Sequence, residues 1–143
     1  MRPALIDDQI LSSVLRNKAP KQIARRELHT TGYWYVRLCQ AVLGSDLADC
    51  SLSRPFGALP PHLRSRAEMA LLELPPEIGL LSLRELGPGI GILRRTFSLN
   101  ALGIEALAAA QRLDADVFLA TPSPVLESAL IALSLRARLL IVR

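Results

Sequence analysis

Short continuous runs of apolar residues alternate with stretches whose apolar residues recur at helical spacing. Residues 3–7 are apolar and end in an acid, which reads as a buried strand carrying Asp7 and Asp8 at its carboxyl end. Residues 9–15 follow with Ile10, Leu11, Val14 and Leu15 on one helical face, and Asp8 is the expected N-cap. A second helix is predicted over 32–43, opened by Thr30 and Thr31 and closed by Gly44. Residues 45–61 hold glycine, serine and prolines and read as a loop. A helix over 63–74 ends at Pro75-Pro76, and residues 78–83 suit a buried strand. Residues 84–97 show a helical pattern diluted by Gly87, Pro88, Gly89 and Gly91. Asn100 caps an Ala-rich helix over 101–113, and 116–121 is a strand. Ser123 caps a helix over 124–134 with Pro124 in first position, and 138–142 is a final strand.

The strands are unbroken apolar runs rather than alternating ones, the pattern of a parallel sheet covered on both faces. The fold class expected is α/β, with three layers, α/β/α, over residues 1–143 as one domain. In such sheets ligands bind beyond the carboxyl ends of the strands, where Asp7, Asp8, Thr121 and Ser123 fall.

Composition narrows the class. Half of the 143 residues are hydrophobic and 21% are charged, which excludes a disordered or low-complexity chain. The 17 basic and 13 acidic residues leave a net charge of +4, which permits nucleic-acid binding without demanding it. The two cysteines, Cys39 and Cys50, form no CxxC pair, and His29 and His62 complete no zinc-ligand set. Both thiols are expected to be reduced, with Cys39 in the core beside Leu38 and Val42. Residues 1–8 do not read as a signal peptide, and no apolar run reaches the length of a membrane span, so a cytoplasmic location is expected. The glycines at 87, 89 and 91 lack both the P-loop lysine and the dinucleotide-binding spacing.

The most basic stretch, 18–29, includes Lys18, Lys21, Arg25, Arg26 and His29, and Lys21 and Arg25 are candidate contacts to an RNA backbone. Tyr33, Trp34 and Tyr35 are expected in the core or at a dimer interface, with base stacking as the alternative.

The segment Leu5-Ile6-Asp7-Asp8-Gln9-Ile10-Leu11 resembles the first strand, first acid and first helix of a PIN domain, the fold of VapC-type toxin ribonucleases. The Ala-rich stretch from Leu99 to Ala110, the strand ending in Ala120-Thr121, and Pro122-Ser123-Pro124-Val125-Leu126-Glu127 are similar to the late helix, strand and last helix of that family. The resemblance implies a toxin–antitoxin component: a Mg²⁺- or Mn²⁺-dependent endoribonuclease that forms a homodimer and pairs with an antitoxin-like protein. Its chemistry needs several carboxylates converging on divalent metal, which activates water.

The chain departs from that pattern. Asp7 matches the first acid, but Arg37, Gly103 and Ser123 stand at the second, third and fourth positions. Glu105 is the alternative third acid; two residues from Gly103, it lies about 200° away around the helix, so both cannot face one site. The expected catalytic residues are therefore Asp7, Asp8 and Glu105, with Asp7 and Glu105 as metal ligands. Arg37, Thr121, Ser123, Lys21 and Arg25 are the expected substrate contacts, and Glu27 could approach if its loop folds back. The alternative is an inactive PIN-like module that binds RNA or a protein partner.

Overall fold

In the computed structural model, which describes residues 1–44 and 50–142, the chain runs β1 (Ala4–Ile6), α1 (Asp8–Leu15), a 3₁₀ turn (Lys21–Ile23), β2 (Leu28–Thr30), α2 (Gly32–Leu43), α3 (Arg54–Gly57) and α4 (Pro61–Leu72). It continues through β3 (Ile78–Leu80), α5 (Leu83–Leu93), α6 (Ala101–Leu113), β4 (Asp116–Leu119), α7 (Pro124–Ala132) and β5 (Ala137–Leu139). The strands form one five-stranded sheet in the order β3-β2-β1-β4-β5, and every neighbouring pair is parallel.

β1 lies at the centre, and Ala4, Leu5 and Ile6 have no exposed surface. Their alternation divides the core. Leu5, Val117 and Leu119 face a cluster built with Leu86, Leu93, Ile104, Leu107, Leu126 and Leu130 from α5, α6 and α7. Ala4, Ile6 and Phe118 face the opposite cluster, with Ile10, Leu11, Leu38, Phe56 and Leu71 from α1, α2, α3 and α4. The architecture is the expected α/β with three layers, helices covering both faces of a parallel sheet.

Several local expectations change. Residues 28 and 29 belong to the basic stretch and Thr30 is expected to open the second helix, yet 28–30 form β2 between β1 and β3. Three residues, Leu-His-Thr, carry no apolar run, and pairing on both sides supplies what local propensity lacks. Thr30 is fully buried and its hydroxyl donates to the Ile6 carbonyl at 2.9 Å. Gly79 on β3 leaves the space that the His29 ring fills on β2. Within the stretch read as a loop, α3 forms and buries Phe56; residues 45–49 of that stretch lie outside the described residues. Despite its three glycines and Pro88, α5 keeps Leu86 and Leu93 on its buried face. No helix among the described residues is long and apolar enough to cross a membrane.

Candidate functional site

The carboxyl ends of β1 and β4 open into a pocket of about 310 Å³. Each wall comes from the start of an element. Asp7, Asp8 and Gln9 begin α1, Asn100, Leu102 and Gly103 begin α6, and Ser123 precedes α7. Trp34 and Arg37, one helical turn apart on α2, form the remaining wall. The structure thus brings Asp7, Asp8, Arg37, Gly103, Thr121 and Ser123 to one place.

Asp7, not Asp8, is the N-cap of α1. Its Oδ1 accepts a hydrogen bond from the Ile10 amide at 2.9 Å, and its Oδ2 accepts one from the Ala120 amide at 2.7 Å. Burial pushes the Asp7 carboxyl up to about 6; the two backbone donors pull it down, and the neighbouring Asp8 adds to the rise. Asp8 Oδ1 accepts from the Gln9 amide at 2.9 Å. Its Oδ2 lies 3.3 Å from Arg37 Nε, close enough for an ion pair but not aligned as a hydrogen bond. Burial raises the Asp8 carboxyl as well, opposed by the Arg37 charge. Arg37 therefore pairs with Asp8 rather than Asp7, and its side chain stays 55% exposed.

The rim is held by side chains far apart in sequence. Gln9 Nε2 donates to Thr121 Oγ1 at 3.1 Å, a link without local signal in the sequence. Asn100 Oδ1 accepts from the Gly103 amide at 2.8 Å and caps α6. Ser123 occupies the N-cap position of α7, but its hydroxyl makes no capping bond. The Ser123 amide donates instead to Glu127 Oε2 at 2.9 Å.

Glu105 is not among the pocket residues. It is 1% exposed, its Oε1 accepts from the Tyr33 amide at 2.9 Å, and it serves the first turn of α2. Gly103 takes the pocket face of α6, so Glu105, two positions on, points elsewhere. Lys21 and Arg25 are exposed on the connection that leads into the amino end of β2, at the far end of the sheet from the pocket. Glu27 lies at that same far end and pairs with His29 Nε2 at 2.9 Å. Arg26, from the same basic stretch, is turned inward to Asp116 at 2.7 Å. Trp34 is buried, while Tyr33 is exposed and Tyr35 donates its hydroxyl to the Leu71 carbonyl. Cys39 packs against the core as expected, and both cysteines are free thiols.

These residues do not fit a divalent metal of the kind the resemblance implies. Among the described residues no group of three or more His, Cys, Asp or Glu side chains could hold a metal ion. Both Asp7 oxygens already accept backbone amides, and Glu105 lies outside the pocket, where its Oε1 holds the Tyr33 amide and its Oε2 is buried without a donor. The pocket offers instead two buried carboxylates, one half-exposed guanidinium and the amino ends of three helices, whose dipoles favour negative charge. The sequence matches no protein-family model and no curated protein.

Proposed function

We propose that this chain is a PIN-like domain whose pocket binds RNA and does not cleave it through a metal. One observation carries the reading. At the four positions where the resemblance implies acids, the pocket presents Asp7, Arg37, Gly103 and Ser123. A guanidinium has replaced a ligand, and phosphate contact needs little more than a placed positive charge. The hydroxyls of Ser123 and Thr121 lie at the same rim and suit phosphate or sugar oxygens.

Calorimetric titration with Mg²⁺ and Mn²⁺, a ribonuclease assay and single-stranded RNA binding at two salt concentrations test the proposal together. Salt-sensitive RNA binding with neither saturable metal binding nor cleavage supports it. Metal binding tighter than about millimolar, with cleavage lost in Asp8→Asn, returns the pocket to the metal-dependent endoribonuclease class.

A second reading, a protein contact such as the expected homodimer or an antitoxin-like partner, is favoured by α2. Tyr33, Val36 and Leu43 are 44%, 48% and 49% exposed along one side of that helix. Light scattering after size exclusion decides it: a monomer unaffected by Val36→Asp removes the homodimer.

A further inference from the structure

Asp8 is the least explained residue of the pocket. Its side chain is 9% exposed, and no hydrogen-bond donor among the described residues reaches its Oδ2. A buried carboxylate oxygen without a donor is a costly arrangement, and one that a ligand donor relieves. The guanidinium that covers this oxygen is loosely held. It approaches through Nε without hydrogen-bond alignment and is half exposed, so its nitrogens remain able to grip an anion.

We propose that Asp8 and Arg37 form a two-point subsite for a ribose 2′-hydroxyl beside a phosphate, and that Asp8 makes the pocket prefer RNA to DNA. The inference rests on the RNA-binding reading above and adds the group by which RNA is told from DNA. The phosphate draws Arg37 outward, and the uncovered Asp8 Oδ2 accepts a hydrogen bond from the hydroxyl. In RNA the 2′-hydroxyl and the 3′-phosphate sit on neighbouring ribose carbons. A donor and an anion are therefore presented side by side, as the acceptor and the cation are in the Asp8–Arg37 pair. The 2′-hydroxyl is the group through which a protein distinguishes the two nucleic acids at one site.

The pairing of charges also disfavours other occupants. A partner's lysine or arginine would satisfy Asp8 but meet Arg37, whereas a bare anion would satisfy Arg37 and leave Asp8 without a donor. A ligand that carries a neutral donor next to an anion suits both. Ser123 and Thr121 extend the same rim, so the neighbouring nucleotide has polar contacts available.

The test is fluorescence anisotropy with a labelled ten-residue oligouridylate and its 2′-deoxy counterpart. The wild-type protein is expected to bind the RNA about tenfold more tightly, the discrimination of one hydrogen bond to a charged acceptor. In Asp8→Ala the ratio falls to about one, and DNA binding is unchanged or tighter because Arg37 is released. Asp8→Asn, which keeps the side-chain volume, gives an intermediate ratio and guards against a folding defect in the alanine variant. Arg37→Ala weakens both oligonucleotides together. Equal binding of RNA and DNA by wild type, or a ratio untouched by Asp8→Ala, overturns the subsite and leaves the RNA-binding reading standing. No binding of either oligonucleotide removes the RNA-binding reading itself. Uridine 3′-monophosphate separates strand from free nucleotide. Affinity equal to that of the ten-residue strand assigns the subsite to a nucleotide and overturns RNA as its ligand.

Discussion

The Asp7 carboxylate clasps Ala120 from 113 positions away: its Oδ2 accepts the Ala120 amide at 2.7 Å while its Oδ1 caps α1 through Ile10. One side chain thus fixes the start of α1 to the end of β4, on either side of the pocket. The acid that the family resemblance makes a metal ligand is a structural tie in this chain.

At about pH 4, where the folded protein holds Asp7 protonated, Asp7→Ala should therefore destabilise the protein by about 2–4 kcal/mol, since it removes a helix cap and leaves two amide donors near the core unpaired. Asp7→Asn retains one acceptor and should lose about half as much. Urea denaturation measures both. Equal stability of wild type and Asp7→Ala would remove the clasp. A ligand-binding defect in Asp7→Ala is informative only beside this stability measurement.

The same carboxylate makes stability depend on pH in an unusual direction. In the folded protein Asp7 titrates at about 6, whereas an unfolded chain releases that proton near pH 4. Between those values the folded state binds more protons, so its advantage is complete below about pH 4 and is lost as the pH rises through about 6. The gap corresponds to about 3 kcal/mol, and Asp8, also raised by burial, acts in the same direction. Asp7→Asn has no such proton to lose. The stability difference between wild type and Asp7→Asn should shift in favour of wild type on going from pH 7 to about pH 4. A difference that is flat across that range contradicts the titration.

What the sequence disclosed follows the range of the forces involved. α2 is bounded by Thr31, whose side chain accepts from the Trp34 amide, and by Gly44; both are local signals and both were readable. The convergence of Asp7, Asp8, Thr121 and Ser123 was readable because strand ends meet at one edge of a parallel sheet, whereas Arg37 and Gly103 were marked only by the family resemblance. β2 was not, because its three residues have little strand character apart from their neighbours. Nor were the partners of Asp8 and Gln9. The Asp8–Arg37 and Gln9–Thr121 contacts depend on how α2 and the loop after β4 pack, which no local pattern encodes. Glu105 is expected at the site because it interrupts an apolar helix two residues from the position of the family's third acid, although the helix rotation separating it from Gly103 already opposes that choice.

Glu105 and Gly32 should prove energetically coupled. A Cβ at Gly32 would lie 3.2 Å from Glu105 Oε2, and Glu105 Oε1 holds the next amide, Tyr33, at 2.9 Å. Glu105→Ala should cost about 1–3 kcal/mol by leaving the half-buried Tyr33 amide without its acceptor. Gly32→Ala in the wild type sets crowding against the helix preference for alanine. In the Glu105→Ala background the crowding is gone and the substitution should stabilise, by up to about 1 kcal/mol. A double-mutant cycle with coupling below about 0.5 kcal/mol would dissolve the link.

Arg26 shows how a basic residue of a surface-like stretch can belong to the interior. Its guanidinium meets Asp116 at 2.7 Å with both side chains under a tenth exposed, donates to the Arg2 carbonyl at 3.1 Å, and lies 5.1 Å from the centre of the Phe118 ring. The pair joins the segment before β2 to the first residue of β4, at the end of the sheet opposite the pocket. Removing one partner strands a charge in a desolvated place, so Arg26→Met should cost about 3–5 kcal/mol. Replacing both with apolar residues of similar size removes that stranded charge, and Arg26→Met with Asp116→Leu should recover most of the loss. Thermal and urea unfolding of the two single variants and the double variant test this. RNA affinity should stay unchanged in any of them that folds, because the pair lies at the far end of the sheet from Arg37. A double variant no more stable than Arg26→Met would mean that the hydrogen bond to Arg2 and the Phe118 stacking, rather than the buried charge, set the cost.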